Sequence, residues 1–143
     1  MPMFDRIEMD IVGMPRDGEA MTNQPCPLCV QEDVVLRNAL AYVRHDNFAL
    51  SRGHVLVVPV RHVADFFDMT TEEKHAVVAL LDEAKAQIDK EHAPDGYNIG
   101  VNIGKAGGQS RMHVHVHLIP RYHGDVADPR GGIRCVLSRE THT

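Results

Sequence analysis

The stretch HVHVHLIPR, residues 113–121, places an imidazole at every second position with an apolar residue between each pair. A period of two marks a strand with two unlike faces. His113, His115 and His117 then share one face, while Val114, Val116 and Leu118 point the other way into a core. Alternate residues on a strand lie roughly 7 Å apart. Three imidazoles in such a row can therefore converge on one small object: a phosphate, a metal, or both. The plain alternative is a half-exposed strand with polar residues outward. Thr, Ser or Lys would fill such a face without titrating near neutrality, as His does.

The neighbouring segments give the row a setting. KAGGQS, residues 105–110, is a Gly-rich loop that leads straight into it, and YNIGVNIG, residues 97–104, reads as a strand before that loop. Thr70 with Glu73 has capping-box spacing. Val77, Leu80, Leu81, Ala84 and Ile88 then recur on one face of an amphipathic helix. The helix ends before Pro94, and Asp95-Gly96 makes a turn. Further upstream, SRGHVLVVPVRH starts with a Gly turn and continues as a β-branched strand that stops at Pro59, with His54, Leu56 and Val58 on one face. Residues 34–48 read as one or two strands, with Asp46-Asn47 turn-like. Strands, one long helix, then strands indicate an α+β domain with an antiparallel sheet. Residues 1–22 show no sustained period and read as a loose arm. Residues 23–143 read as a single domain, although the GDVADPRGGIR tail after Arg121 shows no period either.

Composition narrows the function classes. A chain of 143 residues, 43% of them apolar, suits one ordinary core. No apolar run approaches the roughly 18 residues of a membrane span. The N-terminal stretch is mixed-charge and reads as no signal peptide, so the expected compartment is the cytoplasm. A formal net charge of −5 argues against wrapping a nucleic acid, but not against a small anion held by a few local groups. Three cysteines point to thiols or metal ligands rather than disulfides.

Loop and row together suit phosphoryl chemistry. Gly107-Gly108-Gln109-Ser110 offers backbone N–H groups that can approach an anion closely, with two side-chain donors. An imidazole is a competent nucleophile at phosphorus when its other nitrogen is held. The stretch GGQSRMHVHVHLIPR resembles the signature of the histidine triad (HIT) superfamily of nucleotide hydrolases and transferases. RGHVLVVPVRHV, DGYNIGVNIGKAGGQ and GDVADPRGGIR extend the likeness to bacterial members described as diadenosine polyphosphate hydrolases, over about residues 26–137.

The resemblance implies the HIT fold: a mainly antiparallel sheet of about five strands with one long and one short helix. It implies cleavage at the α-phosphate of dinucleoside polyphosphates or nucleoside phosphoramidates through a nucleotidyl-histidine. His115 would be the nucleophile. His117, His54 and Ser110 would contact phosphate or leaving-group oxygens, Gln109 and Gly108 would add donors, and Asn102 would orient the phosphate. Asp46 would bind ribose hydroxyls. Phe48 and Leu56 are placed to line an apolar base pocket. A backbone carbonyl should hold the Nδ1–H of the nucleophile. The family's dimers pair through the long helix and a sheet edge, so a homodimer is expected. Arg111-Met112 and Leu137-Ser138 depart from the family's habit, and bear on substrate choice rather than on the chemistry.

CPLC, residues 26–29, has three readings: a redox dithiol, half of a structural zinc site, or two unrelated thiols. It follows a loose arm rather than a βαβ-like strand, which disfavours the redox reading. The resemblance completes a zinc site from Cys26, Cys29, His62 and His113. Cys135 reads as a small apolar residue, and His45, His75, His92, His123 and His142 as solvent-facing. Arg121, Arg130 and Arg134 are either a solvated tail or a reach toward distal phosphates. Three rival functions remain: a regulatory nucleotide-binding module, a diadenosine polyphosphate phosphorylase, and a hydrolase using a metal on the His row. The absence of a carboxylate near the row argues against the last.

Overall fold

A computed structural model describes residues 25–137; the arm over 1–22, Ser138 and His142 lie outside the described residues. Five strands form one antiparallel sheet: β1 (Val34–Arg37), β2 (Ala41–His45), β3 (Val55–Pro59), β4 (Gly96–Val101) and β5 (Val116–Arg121). Their spatial order is β1-β2-β3-β5-β4, so β5 inserts between β3 and β4. The one α-helix among the described residues, α1 (Thr71–His92), covers one face. The shorter helical elements among the described residues are 3-10 turns at Phe66–Asp68, Lys105–Gly107 and Gly132–Val136. Among the described residues no helix is long and apolar enough to cross a membrane.

The helix forms where its capping box and stripe place it. The Thr70 hydroxyl accepts from Glu73 N–H, and the Glu73 carboxylate accepts from Thr70 N–H. Val77, Leu80, Ala84 and Ile88 are buried, and Leu81 packs partly against them. Ala93 closes the helix in the left-handed region at φ 47°, and Pro94 cannot extend it. Glu73 is also buried, because Arg61 grips it through two hydrogen bonds of 2.8 and 3.1 Å.

The sheet's two faces divide the labour. Val43 of β2, Val55 and Val57 of β3, and Val116 and Leu118 of β5 join the helix in the main core. Leu56 and Val58 face the other way, into a smaller cluster with Tyr42 and Leu28. As the central strand of the five, β3 is buried on both faces throughout. The turn before β3 requires Gly53, whose φ is +88° and whose missing Cβ would lie 3.0 Å from His92.

Candidate active site and metal centre

Pairing of β3 with β5 places Leu56 opposite His117. His54 lies two residues before Leu56 on the same face, at the mouth of β3. The 46–54 loop closes on itself through Asp46 N–H to His54 O at 3.2 Å, which brings Asp46 to the same place. His54 Nε2 lies 3.0 Å from His117 Nδ1, and Asp46 Oδ2 lies 3.3 and 3.5 Å from those two nitrogens. The His115 ring stands 5.3 Å from that of His117.

The row therefore splits. Strand pairing begins only at Val116, and Val114 N–H donates to Val63 O at 2.8 Å. The chain bends over residues 111–113, and His113 turns away from the other two imidazoles. It packs edge-on against His62 at 5.0 Å and faces both CPLC sulfurs. The expectation of three imidazoles on one object is corrected to two separate groups, of four and three donor residues.

Backbone contacts fix the tautomers and so separate the chemistry of the groups. His113 is fully buried and its Nε2–H donates to Pro59 O at 2.8 Å, which leaves the Nδ1 lone pair directed at Cys26 and Cys29. The Cys29 sulfur is 3.2 Å from His62 Nδ1 and 3.5 Å from His113 Nδ1, and the Cys26 sulfur 3.5 Å from His113 Nδ1. Tetrahedral zinc with bonds of about 2.3 Å to sulfur and 2.0–2.1 Å to nitrogen spaces its ligands about 3.5 Å apart. The four residues fit a zinc ion, with a carbonyl behind the histidine as such sites have. The turn bearing the sulfurs is braced from below, where the Tyr42 hydroxyl donates to Leu28 O.

The second group reads otherwise. His54 Nδ1 accepts from Leu50 N–H at 3.0 Å, so its Nε2 carries the proton. A metal at Nε2 would need that proton gone, while Nδ1 already receives an N–H. Asp46 does supply the carboxylate that the sequence left out, and the earlier ground against a catalytic metal is corrected. The tautomer of His54 replaces it: this group is a hydrogen-bond relay.

Burial pushes His54 down to about 4, helped by the neighbouring His117 and opposed by Asp46. Burial alone would raise Asp46, but the neighbouring His117 and His54 rings and the Phe48 N–H together hold it below its ordinary range. Burial also lowers His115. His115 Nδ1–H donates to His113 O at 2.9 Å, which leaves Nε2 with a free lone pair.

The low folded value of His54 makes stability depend on pH. The unfolded chain binds a proton on this ring below about 6.5 and the folded chain only below about 4, so stability is full above 6.5 and is lost as pH falls toward 4. The expected loss over that window is about 3 kcal/mol. His54→Gln should flatten the chemical-denaturation midpoint against pH between 6.5 and 4. An unchanged slope would reject the assignment.

The remaining expected residues are placed as follows. Gln109 is buried, and its amide is engaged by the loop: it donates to Ala64 O and Arg111 O and accepts from Gly104 N–H. It braces the Gly-rich turn that holds half-buried Ser110 ahead of the row. Asn102 stands just past β4, its Cγ 3.9 Å from where a Cβ on Gly108 would be. Phe48 is 40% exposed, whereas Leu56 is buried in the cluster with Leu28 and Tyr42 rather than open to a base. Ile133 of the tail packs against Gly100, the β4 partner of His117. Arg121 pairs with Asp125 and Asn98, and Arg130 with Asp128. Cys135 is half-buried with its thiol toward Arg130 O. The tautomer-setting groups, Leu50 N–H, Pro59 O and His113 O, carry no sequence signal because they are backbone.

A Mycobacterium tuberculosis protein named AP-4-A phosphorylase is 38% identical over 93 residues, 64% of this chain and 48% of its own length. The chain thus spans about half the length of that relative. A HIT family protein from Bacillus anthracis superposes with a TM-score of 0.67 at 29% identity, over 71% of this chain and 77% of that one. A Zn-bound histidine triad family protein from Mycobacterium smegmatis superposes with a TM-score of 0.61 at 28% identity, over 75% of this chain and 73% of that one. The family model described as HIT domain matches residues 29–124, and with the five-stranded sheet and the paired histidines already placed, this chain belongs to the HIT family.

Proposed function

We propose that the protein is a cytoplasmic nucleotide hydrolase that cleaves dinucleoside polyphosphates or nucleoside phosphoramidates at the α-phosphate through a nucleotidyl-histidine. One observation carries this reading: His115 Nδ1–H is tied to His113 O, so a neutral, half-buried imidazole presents its Nε2 lone pair beside His117.

In the first step the Nε2 lone pair of His115 forms a bond to the α-phosphorus. The bond from phosphorus to the leaving group breaks, and the leaving group departs with the electron pair and a proton supplied from the Ser110 side. His117 accepts from His54 at Nδ1 and so carries its own proton at Nε2, available to a non-bridging phosphate oxygen. The Gly108 N–H expected as a further donor is already given to Lys105 O at 2.9 Å, and Asn102 over Gly108 orients the phosphate. In the second step water attacks the same phosphorus, the P–N bond breaks, the pair returns to His115 Nε2, and the proton the water loses replaces the one given to the leaving group. Splitting one displacement into two lowers each barrier.

A zinc ion on Cys26, Cys29, His62 and His113 is a structural part of this reading. It takes no part in the chemistry and holds the CPLC turn against His113. The protein is also proposed to be a homodimer. Strand β4 is a sheet edge with Ile99 52% exposed, and Val78 on α1 is 56% exposed; light scattering should return twice the 15.9 kDa chain mass.

The likeness to a protein named AP-4-A phosphorylase favours one second reading, in which inorganic phosphate replaces water. The test is a panel of diadenosine polyphosphates and adenosine phosphoramidate, with and without phosphate, and products identified by mass. AMP without added phosphate supports the hydrolase. ADP only with phosphate means a phosphorylase. Nucleotide bound but never turned over means a regulatory binding module.

A further inference from the structure

The carboxylate of Asp46 sits where a purely sugar-binding group would not need to be. Its side chain is 12% exposed. Oδ1 accepts from Phe48 N–H at 2.9 Å, while Oδ2 lies between the two relay imidazoles at 3.3 and 3.5 Å. We propose that Asp46 is a positioning residue for the phosphate-contacting histidines: through Oδ2 it holds the His54–His117 pair in the arrangement that presents His117 Nε2–H to the phosphate, whatever it also does at the ribose. This rests on the nucleotidyl-transfer reading above.

Leu50 N–H fixes the single ring proton of His54 on Nε2. That proton has two acceptors in reach, His117 Nδ1 at 3.0 Å and Asp46 Oδ2 at 3.3 Å. While His117 is neutral it accepts, and its own proton stays on Nε2, outward. Should negative charge gathering on the phosphate oxygens draw a second proton onto His117, its Nδ1 becomes a donor. It would then face the N–H of His54 at 3.0 Å, donor against donor. Asp46 Oδ2 resolves this, because it can accept from both rings at once. The groups facing His117 are Asp46 from the β2–β3 loop, His54 from the mouth of β3, and His115 from its own segment; its β4 partner is the uncharged Gly100. A carboxylate offers about four lone-pair sites. Phe48 N–H and the His54 ring take two, the His117 ring takes a third once it is charged, and one remains for a ribose hydroxyl. Sugar and relay thus share one carboxylate.

The experiment crosses the variant Asp46→Asn with removal of the sugar hydroxyls. Adenosine phosphoramidate and its 2′,3′-dideoxy analogue are turned over by wild type and variant. A carboxylate serving only the ribose has nothing left to lose on the dideoxy substrate, and the two proteins would then match. The relay predicts that Asp46→Asn still lowers kcat about tenfold on the dideoxy substrate with little change in KM. Equal kcat values overturn the proposal. A second readout needs no substrate: nitrogen NMR of the His54 and His117 rings in the free protein. Asp46→Asn should change the ring-nitrogen shifts of His54 and His117, and unchanged spectra also overturn it. If wild type turns over neither substrate, the transfer reading fails by itself while the ring spectra still decide the role of Asp46.

Discussion

His115→Ala should lower the release of nucleoside monophosphate by about 10⁴-fold or more, a loss of about 5 kcal/mol of transition-state stabilisation. The imidazole is asked to supply the attacking atom, and alanine has none. Nucleotide affinity should hold within a few fold, because His54, His117 and the Gly-rich turn stay in place around the phosphate. His113 keeps its side-chain contacts to Pro59 O and the sulfurs, so zinc content and thermal midpoint should also hold. Acid-quenched wild type incubated with substrate should carry a nucleotidyl mass on His115. Residual turnover above about a hundredth of wild type, or the adduct on another residue, would remove His115 from the nucleophile's role.

Stripping zinc should cost the protein heavily in stability and less directly in chemistry. Metal present at a thousandfold above its dissociation constant stabilises a fold by about 4 kcal/mol. For a domain of this size that corresponds to a fall in Tm of roughly 10–15 °C on chelation. Purified protein, prepared without chelator, should hold one zinc per chain, and Cys29→Ser well under one. The link to activity runs through one peptide unit. His113 faces the sulfurs with its ring and gives its carbonyl to His115 Nδ1–H, so loss of a metal held there would loosen the group that orients His115. Turnover of the chelated protein, measured below its new midpoint, should drop by roughly tenfold and return with zinc. A chain with no bound zinc, or a midpoint that chelation does not move, would end the structural-zinc reading. Complete loss of turnover in a fully folded, chelated protein would instead revive a metal in the chemistry.

Local signals were legible wherever a short stretch decides its own structure. The Thr70–Glu73 box and the Val77–Ile88 stripe read directly as helix, because both depend on residues within a few positions of each other. The Gly53 turn and the β-branched run to Pro59 read as a strand entry for the same reason. The likeness to a family brought Cys26, Cys29, His62 and His113 together across 87 positions of sequence, and the distances place them together. Unreadable features were those settled between distant segments. The bend that turns His113 away from His115 comes from Val114 bonding to Val63. Asp46 was legible as a turn residue through its Phe48 contact, but its second oxygen between two imidazoles depends on where β5 lies. Gln109 read as a phosphate donor because its neighbours are glycines; in the fold its amide satisfies three backbone groups. Leu56 read as a pocket wall, and its burial follows from Leu28 folding over it.

The position of β5 has a consequence for how the chain must acquire its shape. It is the last of the described strands in sequence and yet lies inside the sheet, between β3 and β4. Until residues 116–121 are available, the inner edge of β3, with Val55 and Val57, has no partner, and β4 has nothing to join. The helix and the β1–β2–β3 meander can form from near neighbours, but sheet closure waits on a pairing about sixty residues away in sequence. Such non-local closure is the slow step in folding and leaves sticky strand edges open in the meantime. Because β5 also brings His117, with His115 just ahead of it, the chain cannot gain its chemistry before it completes its fold.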